Sequence, residues 1–319
     1  MKEYYVSQLR TDDEITEFFL VKDKAIKIGS NGKQYLDMQL GDKSGELFAK
    51  KWDIADSELE GIDRIRTGDI IKVKALVTEW NNAKQLRIIR IRHIGPQDEI
   101  DKSDFIKAAP EKPEEMYEYI FGIAVSIQDP HFGMITKRAL TDNRDRLMYY
   151  PAAAKNHHAE YAGLLWHMKR MLMMAQLVCD VYENLNRDLL SAGVILHDMQ
   201  KLNEMDSDEN GTVSSYSFEG EMLGHLIQGV VAIDKLSDEL EIPYEKKIML
   251  EHMILSHHYE PEYGSPKRPL FPEAEALHYL DMLDSKMYDM EDILTGVDPG
   301  TFSERVRTLD YRKIYKREW

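Results

Sequence analysis

Residues 191–201 read SAGVILHDMQK, an apolar helical run interrupted by the adjacent pair His197 and Asp198. Among Ala192, Val194, Ile195 and Leu196, two neighbouring titratable groups are costly to bury unless something pairs with them. The interruption recurs along the chain. Leu164-Leu165-Trp166 leads into His167, Gly224 into His225, one apolar stretch ends on His257 and His258, and Leu280-Asp281-Met282-Leu283-Asp284 carries carboxylates in place of imidazole. Ten of the eleven histidines lie at or after His131. Any one of them alone would read as a hydrogen-bonded core or surface residue. Together they supply the nitrogen and oxygen ligands suited to Mn, Fe, Co or Zn.

These interruptions sit in segments with apolar residues at helical spacing: 117–127, 163–185, 188–202, 217–236, 244–257 and 272–287. The reading is an all-α domain over 114–300. Upstream, residues 96–113 are polar, aperiodic and punctuated by Pro96, Pro110 and Pro113, which predicts a linker. Residues 1–95 alternate in the manner of strands. Asn31-Gly32 is a hairpin dipeptide, followed by alternating Leu36, Met38 and Leu40, a turn at 41–45 and a strand from Glu46 to Trp52. A short helix near 55–61 precedes a strand in which Ile71, Val73, Ala75 and Val77 face one way and Lys72 and Lys74 the other; a last strand spans about 85–94. Five strands with a helix before the fourth predict a small OB-like barrel, a fold used for single-stranded nucleic acids. The fold class is therefore α+β and multidomain, a five-stranded OB-like barrel followed by a helical bundle.

A net charge of −16 excludes binding of polyanions by global electrostatics, because phosphate affinity comes from Lys and Arg. A polyanion must be met locally, while clustered carboxylates suit bound cations. A solvated acidic surface accounts for most of the 57 Asp and Glu. The lone Cys179 makes no internal disulfide and reads as core. No run is long enough to span a bilayer and no signal-peptide pattern opens the chain, so a cytoplasmic location without membrane contact is expected. Residues 301–319 form a locally basic tail with Arg305, Arg307, Arg312, Lys313, Lys316 and Arg317. It reads as a solvated, partly disordered end, with RNA or subunit contact as the other reading. In the N-terminal domain, Tyr35 and Gln39 lie on the polar side of their strand beside Lys72 and Lys74 on theirs, the pairing of ring and cation by which OB surfaces hold single strands. Phe48 and Trp80 are either part of that surface or core.

The order His167, His197-Asp198, Asp281 resembles the H…HD…D signature of HD-domain phosphohydrolases, and His225 with His257-His258 resembles the members that bind two metals. The nearer resemblance is to YhaM-type 3′-5′ exoribonucleases. It is carried by NHHAEYAGLLWH at 156–167, SAGVILHDMQK at 191–201, EGEMLGH at 219–225, ILSHHYEPEYGSPKRP at 254–269 and ALHYLDMLDSKM at 276–287. One departure is visible: Gln200 stands where the family usually has Gly. A helix accepts Gln more easily than Gly, so the question it raises is crowding of the pocket.

The resemblance implies one metal held by His167, His197, Asp198 and Asp281, and a second sharing Asp198 and taking His225 and His257. His258 is assigned either to a third metal or to a substrate phosphate, and Asp284, one turn from Asp281, is the alternative to it. Two divalent ions per subunit are implied, Mn²⁺ first and Co²⁺, Fe²⁺ or Zn²⁺ next. Asp198 and Lys201 are the catalytic candidates. Lys201, four residues after His197 on the same predicted helix, is assigned to a non-bridging phosphate oxygen, with an exposed helix lysine as the plain reading. His157, His158, Lys267 and Arg268 are assigned to substrate. The implied activity is hydrolysis of single-stranded RNA, with single-stranded DNA as a further polymer, by a homo-oligomer. The competing readings are a phosphohydrolase of nucleotides or cyclic dinucleotides, which would have no use for a strand-binding domain, and a non-catalytic RNA-binding scaffold.

Overall fold

A computed structural model of the chain describes every residue except 1, 30, 31, 53, 55, 81, 82 and 155–157, and the side chains of 56, 57 and 263. It divides into two compact units, Met1–Lys107 and Ala108–Trp319. The expected linker, 96–113, straddles that boundary.

The first unit is a closed barrel. Its elements are β1 (Glu14–Ile28), β2 (Gln34–Asp42), β3 (Gly45–Lys51), α1 (Asp56–Arg64), β4 (Ile70–Trp80) and β5 (Ala83–His93). Strand order is β1-β2-β3-β5-β4, all antiparallel except β3 with β5. The five-stranded OB-type barrel expected from alternation is thus present, with the helix before the fourth strand. Leu36, Met38, Leu40, Ile71, Val73, Ala75 and Val77 are all buried in its interior. β1 breaks the alternating pattern because both of its faces are covered. Phe19 and Val21 face the barrel core, while Phe18 and Leu20 pack with Ile70 and Phe105 in a second small cluster. Phe105 comes from the segment after β5, so residues 96–107 act as a cover on the barrel.

The second unit is helical. In chain order it contains α2 (Pro113–Ser126), α3 (Pro130–Asp142), α4 (Arg144–Leu147), α5 (Gly163–Val181), α6 (Arg187–Leu196), α7 (Lys201–Glu204), the hairpin β6 (Met205–Ser207) with β7 (Val213–Tyr216), α8 (Phe218–Glu239), α9 (Tyr244–Ser256) and α10 (Pro272–Thr295). One continuous apolar core runs through α2, α3, α5, α6, α9 and α10. No described helix is long and apolar enough to cross a membrane.

The structure departs from the sequence expectations at the His197 helix and in the C-terminal tail, and it adds the β6–β7 hairpin to a domain read as all-α. The predicted helix 188–202 ends at Leu196, and residues 197–200 form a turn tightened by i to i+3 bonds, Met199 N to Leu196 O (3.3 Å) and Lys201 N to Asp198 O (3.0 Å). Lys201 therefore opens α7 and does not continue the helix of His197. The basic tail is folded, not partly disordered. Its bridges Phe302 to Tyr315 and Val306 to Arg312 close it on itself, and Leu309 is fully buried.

Candidate metal centre and nucleic-acid surface

Five helical elements converge on one buried carboxylate. Asp198 lies in the turn after α6 and turns its two oxygens toward different sets of imidazoles. Oδ2 is 3.4 Å from His197 Nε2 and 3.7 Å from His167 Nε2 of α5. Oδ1 is 3.5 Å from His225 Nε2 of α8 and 3.8 Å from His257 Nε2, just past α9. Asp281 of α10 closes the first set, with Oδ1 3.4 Å from His167 Nε2. His258 groups with His225 and His257.

The tautomers follow from what stands behind each ring. His197 Nδ1 donates to Val194 O at 2.8 Å and His257 Nδ1 to Ile254 O at 2.7 Å. A carbonyl only accepts, so in the neutral ring the Nε2 lone pair points into the site. His225 Nδ1 donates to Glu204, 3.0 Å from either oxygen, and His167 Nδ1 to Asp284 at 2.8 Å. This is the outer support that orients metal-ligating histidines. Three of those buried Nε2 atoms, on His197, His225 and His257, have no hydrogen-bond partner, nor does Asp198 Oδ1. Buried acceptors facing one another without a donor are costly, and a cation between them satisfies all at once. The donor set fits divalent metal.

Local structure explains how His225 arrives. Within α8, Gly224 has φ of +67° and breaks the helix in two. That backbone region is open to Gly at little cost. The kink turns the His225 N–H onto Glu204 Oε1 at 3.1 Å, so one carboxylate holds both backbone and ring. One turn earlier, Gly220 lets α8 rest on α7, since a Cβ there would stand 2.1 Å from the Glu204 carbonyl oxygen.

Electrostatics keep the carboxylates ionised. Burial pushes Asp198 up, but the charge of Lys201, whose Nζ is 2.7 Å away, and the surrounding imidazoles hold it well below the ordinary range. Asp281 is lowered in the same way by His167 against the cost of burial. Partial burial favours the neutral form of Lys201, yet Asp198 and Asp281 raise it above the ordinary lysine range. Burial next to His258 and His197 drives His257 well below its usual value, leaving a neutral ring ready to ligate. His167 goes the other way. Burial lowers it, but the hydrogen bonds and charges of Asp281 and Asp284 outweigh this and push it up to about 9. Below that pH the metal-free ring holds a proton that a metal must displace. Loading the stripped protein at pH 7 to 8 should therefore release about one proton from His167, and the release should fade as the pH rises through about 9. Calorimetry in two buffers of different ionisation enthalpy measures it; no buffer dependence would remove His167 from the ligand set.

The remaining site candidates divide. Asp284 accepts from His167 and from His158 Nε2 (2.8 Å) and has Arg170 Nε 2.6 Å away, so it stands behind His167 and is not an alternative to Asp281. The assignment of His158 to substrate is corrected: it is fully buried against Asp284 and Tyr288 and supports the centre from behind, out of reach of substrate. His157 lies outside the described residues. Arg268 is exposed, paired with Glu260 at 2.8 Å and set over the Tyr259 ring; Lys267 beside it is exposed. Glu204 escapes the sequence reading because it belongs to no motif, although its place after Lys201 at the end of a short helix is a usable signal. Glu204→Ala should weaken metal binding about 10–100-fold, the usual cost of losing such a support. Metal titration checks this, and unchanged affinity would show the ring is held by packing alone.

Comparison with known proteins agrees with this geometry. Residues 164–286 match the HD domain family. Over 305 residues the chain is 40% identical to the 3′-5′ exoribonuclease YhaM of Bacillus velezensis, covering 95% of each chain, and equally so to that of Bacillus subtilis. The chain belongs to the YhaM family. Among solved structures, the second OB-fold domain of replication protein A from Methanococcus maripaludis matches 31% of this chain and 98% of its own at 20% identity, with a TM-score of 0.24. The HD domain makes this YhaM relative dependent on divalent metal, in keeping with its buried His and Asp clusters.

Gln200, the departure from the YhaM pattern, has helical backbone angles, so Gly is not needed there. Its Oε1 accepts from Asn203 Nδ2 at 2.6 Å, and Asn203 in turn accepts from Arg146. The side chain is held along its own helical turn.

On the barrel, the expected strand-binding residues separate. β2 and β4 are not neighbours, so Tyr35 does not lie beside Lys72 and Lys74. Lys74 pairs with Glu14 at 2.7 Å, and Lys72 lies 3.8 Å from Asp98, which Arg92 grips with both nitrogens. Tyr35 stacks instead on Trp52, with centroids 4.5 Å apart and Lys50 reaching both rings. Phe48 is exposed on the same β3 face, and Arg87 pairs across from Lys50. The sequence does carry the signal: Phe48, Lys50 and Trp52 alternate with buried Leu47, Ala49 and Lys51. Trp80 is also exposed.

Proposed function

We propose that this chain is a metal-dependent exoribonuclease that removes nucleoside 5′-monophosphates from the 3′ end of single-stranded RNA. The observation that carries it is Asp198, whose two oxygens face two separate imidazole sets. His167, His197, Asp198 Oδ2 and Asp281 would hold one ion; Asp198 Oδ1, His225, His257 and His258 the other. Bound ions at such a pair of sites supply an activated water for in-line attack on phosphorus and stabilise the departing oxygen. Hydrolysis adds water across the bond from phosphorus to the preceding ribose O3′, so a 5′-monophosphate leaves. Lys201, largely buried and charged beside Asp198, faces a non-bridging phosphate oxygen and offsets the charge gathered there. Glu204 and Asp284 keep His225 and His167 from turning. Tyr35, Trp52 and Phe48, with Lys50 and Arg87, present stacking faces and cations to the strand.

Mn²⁺ is the favoured ion because most ligands are imidazole, whereas Mg²⁺ prefers oxygen. A stripped sample supplied with manganese should degrade 5′-end-labelled RNA stepwise to monophosphates and leave a panel of free nucleotides intact. Full recovery with magnesium but not manganese would contradict the His-rich ligand set, and hydrolysis of nucleotides in preference to RNA would contradict the substrate.

A further inference from the structure

Residues 301–319 hold six Lys or Arg and three Asp or Glu, six minus three giving a local charge of +3 in a chain of −16. Four aromatic residues share the segment, Phe302, Tyr311, Tyr315 and Trp319. The segment is built. Ser303 N donates to Ile314 O at 2.8 Å, Gly300 N to Lys316 O at 2.7 Å and Lys316 Nζ to Val297 O at 2.8 Å. Along its last stretch, Lys313, Tyr315 and Arg317 are exposed, while Ile314 and Lys316 between them are half-buried; Glu318 and Trp319 beyond them are both exposed. Extended chain puts alternate side chains on one face, roughly 7 Å apart. The open side thus presents cation, ring and cation over 313–317, with the Trp319 ring against Arg317.

That face is open. Trp319 is 90% exposed and Phe302 63%. Phe302 lies against Tyr315 with centroids 5.0 Å apart, and the Arg317 guanidinium sits 4.8 Å from the centre of the Trp319 ring. Among the described residues Arg305, Arg307, Lys313, Lys316 and Arg317 form no ion pair; the carboxylate of Asp310 is taken by Lys286 and Arg312. An acidic protein surface would meet the charges but has no use for exposed rings set among them. A single strand of nucleic acid uses both, phosphates on the cations and bases on the ring faces. The Asp310 contact with Lys286 roots the segment on α10, five residues or about 7.5 Å along the helix from Asp281.

We infer that the C-terminal segment is a second contact for single-stranded RNA, holding the strand upstream of the nucleotide at the metal centre. The inference rests on the reading of RNA as the polymer substrate. The test uses the full-length chain and a fluorescein-labelled 20-nucleotide oligoadenylate in EDTA, so that binding is read without cleavage. In Lys313→Glu/Arg317→Glu the dissociation constant should rise at least fivefold, and the salt slope should fall by about 1.4, since each phosphate contact contributes roughly 0.7 for a single strand. Tyr315→Ala/Trp319→Ala should weaken binding with the slope unchanged, whereas Lys313→Arg/Arg317→Lys should retain wild-type affinity. Unchanged affinity and slope in folded charge-reversed protein would overturn the inference. So would a change of mass by light scattering in the variants, because the segment would then be a contact between copies. Wild-type protein that binds the oligomer but does not shorten it with manganese would refute the exonuclease reading while leaving the binding comparison intact.

Discussion

Asp198→Ala should abolish hydrolysis, with a loss of about a thousandfold or more, because it removes a carboxylate whose two oxygens face the two imidazole sets. Metal content should fall with it. In the metal-free protein the change also strands Lys201, a largely buried cation that Asp198 pairs with, and breaking such a pair from one side destabilises. Asp198→Asn, which keeps the shape, is therefore the better comparison for stability. Long-RNA binding in EDTA should survive in both variants, since the barrel carries its own surface. Near wild-type turnover by folded Asp198→Ala protein would show that the two imidazole sets do not act through a shared carboxylate.

Deleting residues 1–107 should weaken capture of long RNA about a hundredfold and leave dinucleotide hydrolysis nearly as it was. A tethered strand-binding module raises local substrate concentration without entering the chemistry, and every proposed ligand lies in the second unit. The cut belongs at 107 and not at 95, since Phe105 packs on Phe18, Leu20 and Ile70. Tyr35→Ala/Trp52→Ala in the full chain is the finer form. A stacked base is worth roughly 1–3 kcal/mol, so this pair should recover a large share of the deletion's effect on long RNA. Equal loss on both substrates by a folded deletion protein would make the barrel part of the catalytic architecture.

Much of this architecture is legible in the amino-acid sequence. The alternation of Leu36, Met38 and Leu40 and of Ile71 to Val77 places the barrel strands, because one face of each is buried and the other is not. β1 is not delimited by its pattern, for the opposite reason: Phe18 and Leu20 are buried on its outer face, which erases the period of two. The ligands are legible because each interrupts or ends an apolar run. Their supports are less so. Asp284 stands one turn from Asp281 and reads as its rival, and His158 reads as a substrate contact; spacing along a helix does not tell the front of a ring from its back. The lysines of β4 fail on topology, since alternation within a strand says nothing about which strands become neighbours. α3 escapes as well, its apolar Phe132, Ile135 and Leu140 diluted by Pro130 and Gly133.

His197 and His257 share a device whose consequence reaches beyond the site. Each caps the C-terminal end of its helix, and each ring is held by the carbonyl three residues back. Those carbonyls are among the last of the helix, which have no amide of their own to accept from. Aiming the ligand and closing the helix end are thus one interaction, and neither can loosen alone. Amide exchange in the last turns of α6 and α9 then becomes a gauge of occupancy, slowing as metal loads. It would read the state of the centre in protein that has no substrate to turn over.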